Sequence, residues 1–295
     1  MSGTDKTFTY GNYTVEASSL DKPLFPKVGI TKHDLIRYSE KIADVMLPHL
    51  KDRPLSFQRF PDGIEKSGFF QKNTPDYFPD WIRTHELKKE DGTVRHTLAD
   101  NTATLVYLAN QACLTVHAGL ALADQPDHPV ELVIDLDPPG DDFSEVQCSA
   151  KRVKTLLEDE HNLPVFAKFT GSSGIHVVVP LRGRNTFDTV RNFAKRLTDQ
   201  LAEQFPDDLT TEQRKNKRQG RVFLDINRNA YGQTAVAPYS VRAKPGAPVA
   251  CPVDWDEALA SDADPQMYTV ENVLRRLGQK GDVWSDIRRH AVDLD

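Results

Sequence analysis

The segment Glu131-Leu132-Val133-Ile134-Asp135-Leu136-Asp137-Pro138-Pro139 leaves its part of the chain few choices. An apolar, β-branched run ends in two acids and stops at two prolines, which cannot donate to a sheet ladder. As a strand, Leu132, Ile134 and Leu136 turn to one side while Asp135 and Asp137 share the other. Two residues of rise set their Cα atoms about 7 Å apart, so both carboxylates can reach the same cations. Like charges that close repel, and one keeps its proton unless a cation joins them. Hard carboxylate oxygens suit Mg²⁺ or Mn²⁺. On this segment alone, two solvated acids at a strand end are the favoured reading.

The 295 residues can hold one large domain or two modest ones, and 39% hydrophobic with 27% charged residues is ordinary for a globular protein. No apolar run is long enough to span a bilayer, and the polar start lacks the apolar core of a signal peptide. Cys113, Cys148 and Cys251 are too scattered for a disulfide framework or a Cys-x-x-Cys knuckle, which points to a reducing, cytoplasmic setting. The nine histidines show no metal-binding spacing, so no structural zinc is expected. A net charge of −6 does not advertise a polyanion partner, but its distribution does. Arg214, Lys215, Lys217, Arg218 and Arg221 crowd residues 212–221, with Arg228, Arg242 and Lys244 following. That run is either a solvated face or a polyanion site.

Thr31-Lys32-His33-Asp34 forms a capping-box pattern, and Leu35, Ile36, Ile42, Val45 and Met46 recur at helical spacing up to Pro48. Strands are expected at 53–60 and 68–72, with a hairpin of 84–89 and 93–97 about Asp91-Gly92. A helix at 102–112 and a strand at 114–117 follow. Beyond the acid-bearing strand come a helix at 142–160, paired strands at 165–170 and 175–180, and a helix at 186–204. Strands at 222–226 and 235–242 close the core, before helical pieces at 254–260 and 268–278. This mixed order argues for α+β or mixed-sheet α/β, not a doubly wound fold.

Phe223-Leu224-Asp225-Ile226 repeats an acid within an apolar strand, where a charge is costly unless paired or metal-bound. A local arginine or a metal would serve. Thr170-Gly171-Ser172-Ser173-Gly174-Ile175-His176 is a Gly/Ser turn entering an apolar strand, suited to phosphate through backbone N–H groups and hydroxyls, or simply to turning.

The order Asp-x-Asp, then Gly/Ser turn and His, then a third Asp with basic neighbours, resembles the archaeo-eukaryotic primase superfamily. The chain is most similar there to the polymerase domains of bacterial ATP-dependent ligase D, the end-joining enzyme. The resemblance runs through Asp21–Pro26, Gly29–Lys32, Leu47–Leu50, Arg53–Leu55, Pro61–Gly63 and Phe69–Lys72. It continues in Leu132–Pro139, Gly171–His176, Val222–Asp225 and Thr234–Lys244.

That resemblance implies one primase-polymerase domain over 1–295, with two central sheets flanked by helices. A template and 5′-phosphate part would cover about 1–110, a catalytic part 111–250 and a helical tail 253–295. It makes Asp135, Asp137 and Asp225 the catalytic acids and ligands of two Mn²⁺ or Mg²⁺ ions, with Asp225 nearer the attacking hydroxyl. Ser172, His176, Arg228, Arg242 and Lys244 fall on triphosphate contacts, and His117 on the sugar contact that favours ribonucleotides among NTP and dNTP substrates. Relatives often carry a basic residue at Ser173, and Lys168 is the candidate to replace it. Lys22 and Lys32 match a pocket for a 5′-phosphate, with Ser19 where relatives often have Asn. Phe69 and Phe70 match a template-stacking pair, though plain core would also explain two phenylalanines.

The implied partners are DNA with a gap or a double-strand-break end, Ku and an ATP-dependent ligase, with the chain itself a nucleoid-associated monomer. The implied reaction is template-directed gap or end filling. A Mn²⁺-dependent glycosyltransferase also uses Asp-x-Asp, and a non-catalytic end-binding module also needs a basic patch. Lys89-Glu90-Asp91-Gly92 fits a ligase adenylation signature, but reads here as a charged hairpin turn.

Overall fold

A computed structural model describes residues 5–89 and 91–294. It divides into two compact units: residues 1–119, 236–250 and 268–281 in the first, and 120–235, 251–267 and 282–295 in the second. The first opens with a hairpin, β1 (Lys6–Tyr10) and β2 (Tyr13–Ala17), then the short pair β3 (Pro23–Phe25) and β4 (Ile30–Thr31). Helix α1 spans Lys32–Leu50, and both halves of its expected capping box form about Thr31 and Asp34. Pro48 is accommodated in its last turn.

Strands β5 (Leu55–Arg59), β6 (Phe69–Gln71), β7 (Thr84–Lys89) and β8 (Gly92–Thr97) follow, then α2 (Thr102–Asn110) and β9 (Cys113–Gly119). Residues 103–110 of α2 are all buried, which a two-sided apolar helix requires. The expected hairpin at Asp91-Gly92 is present, with Lys89 opposite Gly92, so the adenylation-like tetrapeptide sits at a hairpin turn; its Glu90 lies outside the described residues.

In the second unit, β10 (Glu131–Asp137) leads to α3 (Phe143–Thr155), which continues into a π turn at Leu156–Glu160. Then come β11 (Phe166–Phe169), β12 (Ile175–Pro180), α4 (Phe187–Gln204), β13 (Leu209–Thr210) and β14 (Val222–Asp225). After β15 (Thr234–Val236), β16 (Cys251–Val253) and the short helix α5 (Trp255–Ala258) belong to the second unit, and α6 (Val273–Lys280) to the first.

The two central sheets expected from the resemblance are there. One runs β13-β14-β10-β12-β11-β16; the other runs β15-β9-β5-β8-β7, with β6 on β5. In the first of these only β13–β14 is parallel, so the acid-bearing β10 lies antiparallel to both neighbours. Its apolar residues Leu132, Ile134 and Leu136 are fully buried. Val133, on the opposite side, joins Val178, Phe187, Trp284 and Ile287 in a core cluster.

One expected strand is shorter than its pattern. The run 235–242 is extended only to Val236, because Pro238 has no N–H and Tyr239 adopts a left-handed backbone (φ 63°). The chain pairs again only at a Val241–Val249 bridge.

Candidate functional site

Strand register decides which side chains meet. Asp135 of β10 lies directly opposite Asp225 of β14 on one side and His176 of β12 on the other. His176 in turn lies opposite Lys168 of β11. Directly opposed residues share a face, so Asp225, Asp135, His176 and Lys168 form a polar row across four strands. Asp137 joins the same face one step along β10, opposite Phe223.

The acids repel one another. Burial, then the charges of Asp135 and Asp225, push the Asp137 carboxyl up to about 6, against weaker opposition from Arg218 and Arg228. Each acid is turned toward a separate partner. Asp225 Oδ1 accepts from the Asn227 N–H at 2.7 Å. Asp135 Oδ2 stands 3.4 Å from His176 Nε2 and 3.9 Å from Arg228 Nη2. Asp137 Oδ2 stands 3.9 Å from Arg218 Nη1, whose guanidinium stacks 4.0 Å above the Phe223 ring.

Among the described residues no three His, Cys, Asp or Glu side chains are already gathered as a metal site. The donor set nevertheless fits hard divalent cations: three carboxylates on one face of adjacent strands, the pKa of one raised by burial and by the other two. Rotation of these side chains, not movement of the strands, would bring them together.

His176 is buried, which pushes its pKa down despite the charge of Asp135, so it is neutral at neutral pH. Its Nδ1 is buried without a hydrogen-bond partner among the described residues. The Gly/Ser turn sits against β10. A Cβ on Gly174 would lie 2.2 Å from the Leu136 carbonyl oxygen, so only glycine lets the turn come this close. Thr170 Oγ1 accepts from the N–H groups of Ser172 and Gly174, and Ser172 is half-buried. Ser173 is exposed, whereas Lys168 is buried with Nζ 5.6 Å from the Trp284 ring centroid.

Two residues organise this unit: Asn229, not singled out in the sequence, and Arg218, named there only within the basic run. Asn229, fully buried, accepts from the Val133 N–H (2.9 Å) and donates to the Val133 carbonyl (2.6 Å), completing the ladder of β10 where β14 has ended. Arg218 belongs to the basic run, yet its Nε and Nη2 donate to the carbonyls of Glu212 and Gln213, which fixes its head toward Asp137. An Asn closing the turn after a strand end is too common a pattern to announce the first. The basic run ahead of the acid-bearing strand is the sequence signal for the second, without saying which of its members would face the acids.

The remaining candidates belong to the first unit. Lys22 Nζ pairs with Asp62 at 2.6 Å, and Lys32 Nζ donates to the Ser18 carbonyl at 2.8 Å. Burial and then the charge of Lys22 pull the Lys32 pKa down, so the two ammonium groups feel each other, as a dianion site requires. Ser19 has φ 54°, a conformation in which asparagine is more comfortable. Arg242 is half-buried and Lys244 exposed in the loop between Val241 and Val249. His117 on β9 lies 5.4 Å, ring to ring, from Phe70. Phe69 and Phe70 are 49% and 57% exposed, which rules out the plain-core reading.

Comparison with known proteins agrees with the sequence resemblance. The family described as LigD, primase-polymerase domain, matches residues 31–284. The chain is 34% identical over 281 residues to the bifunctional non-homologous end joining protein LigD of Bacillus subtilis (strain 168), covering 95% of this chain and 45% of that protein. It is 32% identical to the multifunctional non-homologous end joining protein LigD of Mycolicibacterium smegmatis, covering 95% and 37%. It therefore spans less than half the length of these curated relatives. The polymerase domain from Mycobacterium tuberculosis ligase D in complex with DNA matches with a TM-score of 0.85 at 30% identity, over 94% of this chain and 99% of that one. The fold, the order of the motifs and these matches agree: the chain belongs to the LigD primase-polymerase domain family of nucleotidyltransferases.

Proposed function

We propose that this domain extends a primer against a template in short DNA gaps or at broken ends, preferring ribonucleotides, by a two-metal mechanism. The observation that carries the reading is the register of β10 and β14, with Asp135, Asp137 and Asp225 on one sheet face. Those three acids would hold the two ions. Bound there, Mn²⁺ or Mg²⁺ would acidify a primer 3′-hydroxyl and neutralise charge on the triphosphate.

The chain's own groups do the positioning. His176 braces Asp135 in a buried, neutral contact. Arg228, beside Asp135, and Arg218, beside Asp137, supply fixed positive charge for triphosphate oxygens. The Ser172 hydroxyl adds a donor, the Ser172 and Gly174 N–H groups being taken by Thr170 Oγ1, and Arg242 and Lys244 are the further phosphate contacts implied by the family. His117 is proposed to read the 2′-hydroxyl, Lys22 and Lys32 to hold a 5′-phosphate across the gap, and Phe69 and Phe70 to stack on template bases. Ku and an ATP-dependent DNA ligase are the partners that the end-joining relatives suggest.

The test is a gapped, 5′-phosphorylated duplex incubated with Mn²⁺ and labelled rNTPs or dNTPs. Primer extension with ribonucleotides ahead of deoxyribonucleotides is expected. No extension would sink the reading, and extension surviving Asp137→Ala would sink the metal mechanism. Loss of the ribonucleotide preference in His117→Ala is expected; an unchanged preference removes His117 from that role.

A further inference from the structure

The two exposed phenylalanines do not form one platform. In the β5–β6 ladder Phe69 lies opposite Arg59 and Phe70 opposite Gln58, so their rings leave opposite faces of the strand. Phe70 shares its face with His117. Phe69 shares the other with Arg59, whose guanidinium carbon is 5.5 Å from the Phe69 ring centroid.

Arg59 is buried and its head is tied down. Its Nε donates to the Gln111 carbonyl at 2.9 Å and its Nη2 to Gln111 Oε1 at 3.1 Å. Its Nη1 donates to Gln71 Oε1 and to the Tyr77 hydroxyl, both at 2.7 Å. Tyr77 is therefore inverted. A tyrosine ordinarily buries its ring and leaves the hydroxyl wet. Here the hydroxyl is anchored to a buried guanidinium, and the side chain is among the most exposed of the large hydrophobics at 61%.

The hydroxyl serves the buried Arg59 and the ring packs edge-on with Phe78 at 5.4 Å between centroids, but the exposed ring face itself adds little to folding. A face held in this way is what a stacking surface for bases needs, because the ordering entropy is already spent. Of the acids flanking Tyr77 in the chain, Asp76 pairs with Arg95 at 2.6 Å and Asp80 is exposed, while Lys66 and Lys72 are exposed lysines on either side of β6.

Building on the polymerase reading, we propose that Tyr77, mounted by Arg59 beside Phe69, is a stacking site for an unpaired base of single-stranded nucleic acid. It is separate from the face where Phe70 meets His117. The Phe69–Tyr77 face takes a base of an overhang, and Arg59 acts as its positioning residue.

Overhang binding needs no chemistry, so it tests this site separately from primer extension. We would measure fluorescence anisotropy with a duplex carrying a single-stranded extension and with the same duplex blunt-ended. Fluorescence of 2-aminopurine placed along the extension reports stacking. Tyr77→Ala is expected to weaken overhang binding by about tenfold, leave blunt-duplex binding within twofold, and relieve 2-aminopurine quenching at one position. Tyr77→Trp, which enlarges the ring, is expected to retain or tighten overhang binding, and Tyr77→Phe, which cuts the tether to Arg59, to fall between. Overhang affinity unchanged in Tyr77→Ala, or equal losses on overhang and blunt duplex, would overturn the proposal. If the wild type binds the overhang through Tyr77 but extends no primer, the polymerase reading fails and this site stands.

Discussion

Asp135 and Asp225 face each other directly across two antiparallel strands, with Asp137 completing the group on the same face. The arrangement stores repulsion that folding alone does not require. Asp137→Asn is therefore expected to raise the thermal midpoint in EDTA by about 1–3 °C, a modest figure because the side chain is 41% exposed. The same variant should lose primer extension and the stabilisation that Mn²⁺ gives the wild type. A lower midpoint in EDTA would contradict the repulsion argument.

The pH dependence has a definite sign. The Asp137 carboxyl is raised from 3.8 to about 6, so between those values the folded state binds more protons than the unfolded one. Stability from this group is present at low pH and is lost as pH rises through about 6. The midpoint advantage of Asp137→Asn should thus be absent below about pH 4 and fully developed by about pH 7. Divalent-ion affinity should rise over the same interval, since the ion competes with that proton. Paired melting curves across pH check both.

Lys22 is already occupied by Asp62. Lys22→Ala with Lys32→Ala should weaken binding to a 5′-phosphorylated gap by about tenfold or more and leave the unphosphorylated gap unchanged. Asp62→Asn should act in the opposite direction, freeing Lys22 and tightening phosphate-dependent binding. Equal losses on both gaps in the double variant would remove the pocket.

Gly174→Ala puts a methyl group 2.2 Å from the Leu136 carbonyl oxygen, which is backbone and cannot swing away. A loss of about 1–3 kcal/mol is expected, along with impaired extension, because the turn must lift from β10. Gly140→Ala, which meets nothing within 4 Å, is the matched control and should be near neutral.

The three thiols should differ sharply. Cys148 is exposed, whereas Cys113 and Cys251 are buried, and burial pushes the Cys113 thiol up to about 12. Titration with a thiol-reactive dye at pH 8 should modify Cys148 in the folded protein and all three in denaturant.

Much of this architecture is legible in the chain because its signals are local. The capping box at Thr31, the Asp91-Gly92 hairpin and the alternation of β10 each specify their element without help. The amino-terminal hairpin is not among the expected elements, although Gly11-Asn12 separates its two alternating runs. What the chain conceals is pairing at a distance. Nothing in the sequence near Asp135 says that Asp225 and His176 flank it, since that follows from antiparallel registers set by core packing. The inverted Tyr77 is hidden for the same reason: its meaning lies in Arg59, eighteen positions earlier in the chain. Likewise, a Phe-Phe pair looks like one feature in one dimension, and strand geometry splits it in two.

The Asn229 amide, bonded to both polar groups of Val133, has an implication for how this fold can vary. By standing in for the next residues of β14, it lets the chain leave the sheet right after Asp225 and carry Arg228 on a separate course. The carboxylates ride on a strut and the arginine on a bracket clipped to it. Substitutions in the bracket should therefore shift Arg228 while the carboxylates keep their place, so the two parts can vary separately in descendants of this chain.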